Sequence, residues 1–391
     1  MRRFSANTVL AMFAALFLCW TLVIGIGHGA NVDYLAEWRE VLAGHDPWRP
    51  GPSLPLNAYG PLFNALAVLV WISPVAPKVV FAASYIGFVA WLGLRVALRS
   101  DGAIDRGVLW LCILNPFPWI EIAHFGFFDV LVGIACVAAV HAARRGHDWR
   151  AGAWLGVGIL LKFVPVVLLP FLAMRQRRPH PAVVAAAIAV SGLGLAISIA
   201  IWGRSTLDPI LFASNRPAVM SIYALLGSPD SPLRIGVPFD LARLEKPLLI
   251  VAGGAMFAWC QWRRAGLALS ALLAILVTLL FYRSGYNNYQ MIAFALLAYW
   301  LTAERESARA VRGLSLALTA WLGALLAIDA GFPVVRRIVS EELGTLYLDS
   351  AYLARWLAGC ALVLVLAAAR VQPSTNRGPA SPPAPAASSL L

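Results

Sequence analysis

The chain has 391 residues, of which 60% are hydrophobic and only 13% are charged. Soluble domains carry about 25% charged residues, so this composition excludes a soluble multidomain enzyme, and apolar runs along almost the whole chain exclude a single membrane anchor. The net charge of +12 comes from basic residues in the short gaps between apolar runs. That positive-inside pattern predicts membrane lipids as partners and no nucleic acid.

The apolar runs predict an all-α polytopic membrane protein. A helix that crosses a bilayer needs about 20 mostly apolar residues. Ten runs are predicted to span the membrane, at 8–27, 79–99, 106–120, 127–144, 181–202, 247–262, 265–283, 288–303, 310–330 and 351–370. Only three of the 31 basic residues are lysine, which favours a bacterium with a GC-rich genome and hence its inner membrane. The five cysteines lie inside apolar runs without CxxC spacing, which predicts neither disulfides nor zinc.

Two further apolar segments do not fit a simple span. Residues 61–73 are short, and residues 151–173 contain Lys162 and Pro165 at mid-length. Arg2 and Arg3 favour a cytoplasmic N-terminus. Most other basic clusters also become cytoplasmic if 61–73 lies on the outer surface and 151–173 is a re-entrant broken helix pair. Arg336 and Arg337 remain outside in either scheme.

This plan predicts one transmembrane domain over residues 1–370. Its first outer loop covers 28–78 and a second large outer loop covers 203–246. Loops longer than about 12–15 residues are usually functional, so both are expected to contribute to a site. The Pro/Ser/Ala-rich tail at 371–391 is predicted to be disordered.

Acidic side chains near membrane depth are costly and are often functional. Asp33 follows the first span, where its carboxylate could act as a general base or hold a cation, or could simply cap a helix that begins at Tyr34. Glu121, His124 and Asp129 fall in one segment, in which Asp129 begins the fourth span. They could bind a ligand, whereas the plainer interpretation is that Asp129 caps a helix. The spacing matches no zinc motif.

Two basic residues suit a phosphate group. Lys162 lies deep in an apolar segment, where an ammonium must bind an anion or pair with a carboxylate such as Asp129. Arg216 in the second large loop could bind phosphate through two hydrogen bonds or remain a solvated loop residue. Between two spans, Tyr286, Asn287, Asn288 and Tyr289 could recognise sugar hydroxyls or form an interfacial aromatic belt. No P-loop, dinucleotide-binding or serine-hydrolase motif occurs in a fitting context.

Short pieces of this sequence occur in a familiar order. They are Asp33-Tyr34, Gly44-His-Asp-Pro47-Trp48, Tyr59-Gly-Pro61-Leu62, Asn115-Pro116, Gly126-Phe-Phe-Asp129, Gly152-x-x-Leu-Gly156, Lys162-x-x-Pro165, Arg216, Ser221-x-Tyr223 and Tyr289-Gln290. Over roughly residues 8–300 the chain resembles the GT-C membrane glycosyltransferases that use polyprenyl-phosphate sugars. It is most similar to bacterial polyprenol-phosphate-mannose-dependent mannosyltransferases and to the GPI mannosyltransferase I type.

The resemblance implies a GT-C-like fold with surface-lying helices in the first outer loop and a site open to the periplasm or exterior. It implies an inverting hexosyltransferase with a polyprenyl-phosphate sugar donor and a glycolipid or envelope glycan acceptor. Mannose is the hexose that the resemblance favours. Asp33 would be the catalytic base, and Lys162 and Arg216 would bind the donor phosphate. The sugar or acceptor would contact Asp129, His124, Glu121, Tyr59, Tyr286, Asn287, Asn288 and Tyr289.

Two departures from the family pattern leave alternatives open. Asn31 stands at the first position of the paired-acid D-x-D of some relatives, and Gly126-Phe-Phe-Asp129 lacks their amide residue. No cofactor is predicted, and a divalent metal is not indicated. Broken helices with a lysine at mid-depth also occur in lipid or solute transporters and flippases. A catalytically silent accessory subunit is a third interpretation.

Overall fold

The structure is a computed structural model that describes residues 6–26, 30–49, 57–97, 103–175, 177–215, 217–229, 231–235, 241–304, 308 and 311–368. The predicted tail at 371–391 and Arg216 lie outside these residues.

The first half of the chain folds into helices and one short hairpin. Its helices are α1 (Ala6–Ile24), α2 (Ala30–Leu42), α3 (Pro61–Ala65), α4 (Ala76–Ala97), α5 (Ala103–Leu114), α6 (Pro116–Pro118), α7 (Asp129–Arg144), α8 (Asp148–Leu161) and α9 (Leu169–Ala173). Single 3-10 segments follow α3 at Leu66–Trp71 and precede α9 at Val164–Leu168, and a π-helical segment covers Trp119–His124. Strands β1 (Met174–Arg175) and β2 (Arg178–Pro179) pair antiparallel.

The second half is also helical. Its helices are α10 (Pro181–Trp202), α11 (Asp208–Asn215), α12 (Ile222–Gly227), α13 (Glu245–Arg263), α14 (Leu267–Phe281), α15 (Gln290–Ala303), α16 (Leu314–Leu326), α17 (Phe332–Ile338) and α18 (Glu341–Ala367). The 3-10 segments lie at Gly203–Leu207, Leu241–Leu244 and Asn287–Tyr289, and a π-helical segment at Ala327–Gly331 joins α16 to α17.

Within the described residues, five helical segments are long and apolar enough to cross a membrane. They are Asn7–Ile24, Ala76–Leu94, Pro181–Leu211, Leu314–Ile338 and Glu341–Ala367. A sixth would be the pair Gly107–His124 and Asp129–Arg144, which is bent by 118°. The structure is thus all-α and polytopic, whereas the predicted count of ten spans is not confirmed. Helices do occupy the other predicted spans, but α14 and α15 have only 15 and 14 residues and are buried almost throughout, so protein rather than lipid surrounds them.

Several helices end together at one end of the bundle, which we call the basic end. Arg175 donates hydrogen bonds to the Asp148 carboxylate and to the Ala143 carbonyl oxygen. Arg144 Nη2 donates to the Ala303 carbonyl oxygen at 3.0 Å. Because Asp148 begins α8 and Arg175 follows α9, the segment from α8 to α9 starts and finishes at this same end. The charge pattern predicts a broken pair over residues 151–173, and its re-entrant placement in a membrane stays a prediction.

The pair is broken at its far end for a local reason. Lys162 leaves the helical conformation, with φ −158° and ψ 133°, and Pro165 three residues later cannot donate a helical hydrogen bond. On its way there, α8 packs closely on α10 through Gly152 and Gly156. A Cβ at Gly152 would lie 2.2 Å from the Val183 carbonyl oxygen. Small residues permit such close approach between apolar helices.

Gly152→Ala is therefore expected to push α8 away from α10 and to lower the free energy of unfolding by about 1–3 kcal/mol, the usual cost of overpacking. Thermal unfolding of the purified protein in detergent measures this change. Gly192→Ala on α10 is the matched control, because a Cβ there meets no atom within 4 Å. Equal unfolding temperatures for the two variants would contradict this account of the α8–α10 contact.

Candidate active site

A buried ion pair lies at the end of the bundle opposite the basic end. Asp129 is the first residue of α7 and is fully buried, and Lys162 directly follows α8 with 4% of its surface exposed. Lys162 Nζ lies 2.5 Å from Asp129 Oδ1, and Asn288 Nδ2 donates to Asp129 Oδ2 at 2.7 Å. The ion pair is the arrangement that the sequence left open as the alternative to a phosphate-binding lysine.

Aromatic rings surround the ammonium group. Lys162 Nζ lies 3.5 Å from the centroid of the Tyr289 ring, 5.6 Å from that of Phe128 and 5.7 Å from that of Tyr59. Ring faces attract a cation, most strongly where water is excluded. The cation therefore has one carboxylate and three ring faces as neighbours.

The segment at residues 57–60 places Tyr59 beside the ion pair through a close backbone contact. Gly60 N donates to the Leu161 carbonyl oxygen at 3.2 Å, and a Cβ at Gly60 would lie 2.1 Å from the Leu160 carbonyl oxygen. Only glycine allows this approach. The Tyr59 hydroxyl lies 3.5 Å from that of Tyr34 on α2, which brings α2 against the same cluster.

Helix α2 carries two carboxylates one turn apart. Asp33 lies in the first turn and is exposed, whereas Glu37 is 95% buried and its Oε2 has no hydrogen-bond partner among the described residues. Burial and, secondarily, the negative charge of Asp33 raise the pKa of Glu37 to about 8. Sequence analysis missed Glu37. Its i,i+4 spacing from Asp33 on a helix was the signal that could have identified it.

A second polar cluster lies beside the ion pair. Asn287 Nδ2 donates to Asp329 Oδ1 at 2.8 Å, and Arg355 Nη1 donates to Asn287 Oδ1 at 2.7 Å. The carboxyl group of Glu121 is buried near Asp329, and also near Asp129 and Lys162. The predicted residues Glu121 and Asn287 are thereby joined to the site. Asp329 and Arg355 were missed, because each lies inside an apolar run that was interpreted only as a span.

The structure places the remaining predicted residues as follows. The Tyr286 ring lies 5.8 Å from the ring of Tyr289, at the edge of the aromatic group. The ring of His124 packs on Phe125, and its carbonyl oxygen accepts a hydrogen bond from Lys78 Nζ at 2.9 Å. Near the undescribed Arg216, the Met220 carbonyl oxygen accepts a hydrogen bond from Arg355 Nη2 at 2.7 Å, so this loop reaches the second cluster.

Within the part of the chain that the structure describes, no three His, Cys, Asp or Glu side chains are grouped to hold a metal ion. The site combines the Lys162 ammonium inside its group of aromatic rings with asparagine amides, tyrosine hydroxyls, and both buried and exposed carboxylates. Together they could bind hydroxyl groups and an anion, and could accept a proton.

Asp129→Ala is expected to lower the free energy of unfolding by about 3–5 kcal/mol, because it leaves the Lys162 ammonium buried without its counter-charge. The double variant Asp129→Leu/Lys162→Met should lose less, since no unpaired charge remains. Reversible unfolding in mixed detergent micelles measures both. Glu40→Ala, which breaks the exposed contact to His45, should cost no more than about 1 kcal/mol. If Asp129→Ala lowered the free energy of unfolding no more than the double variant does, the argument that Asp129 stabilises the buried Lys162 charge would be refuted.

The raised pKa of Glu37 makes stability depend on pH. Between about pH 4.5 and pH 8 the folded protein keeps a proton that the unfolded chain releases, so stability falls as pH rises through this window. Glu37→Gln has no proton to release. We therefore expect the unfolding temperature of the unmodified protein to fall relative to that of the variant from pH 5 to pH 8. Parallel curves across that range would contradict a buried, protonated Glu37.

Comparison with known families gives this cluster its context. The model of glycosyltransferase family 87 matches residues 57–283, more than half of the chain. The match contains Tyr59, Asp129 and Lys162, whereas Asp33 and Asn288 lie outside it. No curated protein and no solved structure matches the chain. The expectation of a membrane glycosyltransferase is confirmed: the chain belongs to glycosyltransferase family 87, a family of GT-C-type membrane glycosyltransferases.

Proposed function

We propose that the protein transfers a hexose, with mannose as the first choice, from polyprenyl phosphate to a glycolipid or envelope glycan on the outer face of the inner membrane. The observation that carries this proposal is the caged ion pair of Asp129 and Lys162. It lies beside two outer-loop segments, α2 and residues 57–60, and opposite the basic end.

The orientation follows from charge. Basic segments are retained on the cytoplasmic side, so the basic end is assigned to the cytoplasm and the ion pair to the outer face. A transferase that works on the outer face has no access to cytoplasmic nucleotide sugars. Its donor must therefore lie in the membrane and carry its own leaving group, and a sugar linked to polyprenyl phosphate meets both requirements.

In the proposed reaction, an acceptor hydroxyl oxygen attacks the anomeric carbon of the donor from the face opposite the phosphate. The bond between that carbon and the phosphate oxygen breaks, its electron pair stays on the phosphate, and the configuration inverts. Asp33 takes the hydroxyl proton. Its exposed position on α2 leaves it accessible to an acceptor, and a positioned base contributes typically 10²–10⁴-fold to the rate.

Lys162 stabilises the charge that develops on the phosphate. Its ammonium group lies among the rings of Tyr59, Phe128 and Tyr289, and a fixed positive charge has its greatest effect where water is excluded. Arg216 is assigned the same task from the second large loop. Asp129, Asn288, Tyr59, Tyr286 and Tyr289 surround the sugar. Glu121, His124 and Asn287 are assigned to the acceptor side.

Asp33→Asn is expected to lower the rate of sugar transfer by about 10²–10⁴-fold without altering the unfolding temperature. Transfer is followed with radiolabelled polyprenyl-phosphate mannose and a membrane lipid extract as acceptor. Glu40→Gln removes a carboxylate from the same helix and is the matched control, with wild-type transfer expected. Full activity in Asp33→Asn would reject Asp33 as the base, and loss of activity in Glu37→Gln alone would assign that role to Glu37.

The donor is tested separately in the same preparation. Polyprenyl-phosphate mannose, the corresponding glucose and arabinose lipids, and GDP-mannose are supplied in parallel. We expect transfer from a lipid-linked sugar and none from GDP-mannose. Transfer from the nucleotide sugar by purified protein would overturn the assignment of the donor class.

A further inference from the structure

A second feature of the bundle is a lateral groove between α4, α7 and α8, which we call the α4–α8 groove. Its volume is about 550 Å³, within the range of roughly 300–1,000 Å³ that is usual for ligand sites. Its walls are mainly apolar and include Phe88 and Trp91 on α4, Leu131 and Ile134 on α7, and Trp154 on α8. None of the site residues described above lines it.

The groove has a charged rim at one end only. Arg145, His147 and Arg150 line the groove where α7 passes into α8, and all three are exposed. The neighbouring Asp148 is already bound by Arg175 and His180. Among the side chains that the structure describes, no carboxylate forms an ion pair with Arg145 or Arg150. This rim therefore offers two guanidinium groups to an external anion.

The length of the groove matches a lipid chain. Arg145 directly follows α7 and lies 14 residues after Leu131, which at the helical rise of 1.5 Å per residue is about 21 Å. The hydrocarbon core of a bilayer is about 30 Å thick, so the groove is deeper than one leaflet of about 15 Å. Aromatic side chains such as Trp154, which is 45% exposed, are typical of the membrane interface.

We propose that the α4–α8 groove binds an anionic phospholipid of the cytoplasmic leaflet, with one acyl chain along α7 and its phosphate held by Arg145 and Arg150. Basic pockets between membrane helices on the cytoplasmic side recognise such head groups. The sugar donor is not the occupant that the charges favour. Its phosphate belongs at Lys162, at the opposite end of α8 from Arg150.

The groove is connected to the ion pair through its walls. Helix α7 begins at Asp129 and helix α8 ends at Lys162, so the two helices that hold the lipid also carry the two charges at their other ends. A bound chain fills the space beside these helices and thereby supports their spacing.

The proposal is tested by native mass spectrometry of the full chain in detergent micelles, titrated with dioleoyl phosphatidylglycerol or dioleoyl phosphatidylethanolamine. We expect preferential binding of phosphatidylglycerol. Arg145→Gln/Arg150→Gln should weaken that binding by about 30-fold, from about fivefold per basic residue near a membrane surface. It should weaken phosphatidylethanolamine binding less, because the ammonium of that head group already offsets its phosphate.

Two further variants test whether lipid binding depends on the arginines of the groove in particular and on the open space of the groove. Arg178→Gln/Arg263→Gln removes two exposed arginines that do not line the groove and should bind lipid as the unmodified protein does. In Gly87→Leu the new side chain projects from α4 into the groove, where a Cβ meets no atom within 4 Å. This variant should fold normally and lose both phospholipids.

Three results would overturn the proposal. The first is unchanged phosphatidylglycerol binding in both groove variants. The second is a loss of phosphatidylglycerol binding in the control variant Arg178→Gln/Arg263→Gln as large as that in Arg145→Gln/Arg150→Gln. The third is displacement of bound phosphatidylglycerol by an equal amount of polyprenyl phosphate. None of these readouts uses sugar transfer, so failure of the proposed function would leave this test intact.

Discussion

The buried pair of Asp129 and Lys162 is the interaction on which the site end of the bundle depends. Either charge alone would be strongly unfavourable at this depth. Together they join the start of α7 to the end of α8, and Asn288 adds the loop before α15. Tyr59 and Tyr289 then close the aromatic group around the ammonium. Four separate segments of sequence are thus held by one pair of opposite charges.

The second cluster provides a different kind of support. Arg355 donates hydrogen bonds to Asn287 and to the carbonyl oxygens of Gly285 and Met220. It thereby ties α18 to the loop between α14 and α15 and to the large loop after α11. A guanidinium group has five donors in a fixed plane, which suits this task better than a lysine would. These two loops are consequently held to the bundle by side-chain contacts as well as by the helices at their ends.

Much of the fold follows from the sequence because long apolar runs predict membrane helices and clusters of basic residues predict which helix ends lie together on one side. The broken pair around Lys162 and Pro165 was predictable because arginines flank it on both sides. The predicted count of ten spans is not confirmed, since α14 and α15 are buried among other helices and are shorter than a typical bilayer-spanning helix. Apolarity alone does not distinguish a helix that faces lipid from one that is buried in protein.

The site was predictable where polar residues interrupt apolar runs, as at Asp129, Lys162 and Asn288. Their grouping in space depends on which helix ends meet, and sequence order does not specify this. Asp329 and Arg355 were missed for another reason. Each lies inside an apolar run, and only the tertiary contacts show that it faces other polar groups.

The α8–α9 hairpin also constrains how the chain is made. A lone lysine at the centre of a membrane helix costs about 2.5–3.5 kcal/mol on insertion, and the 14 residues of α8 are too few to span a bilayer. The newly synthesised hairpin is therefore a poor substrate for the translocon by itself. Pairing with Asp129 offsets that cost, and Asp129 precedes Lys162 in the chain, so the counter-charge is synthesised before the lysine that it neutralises.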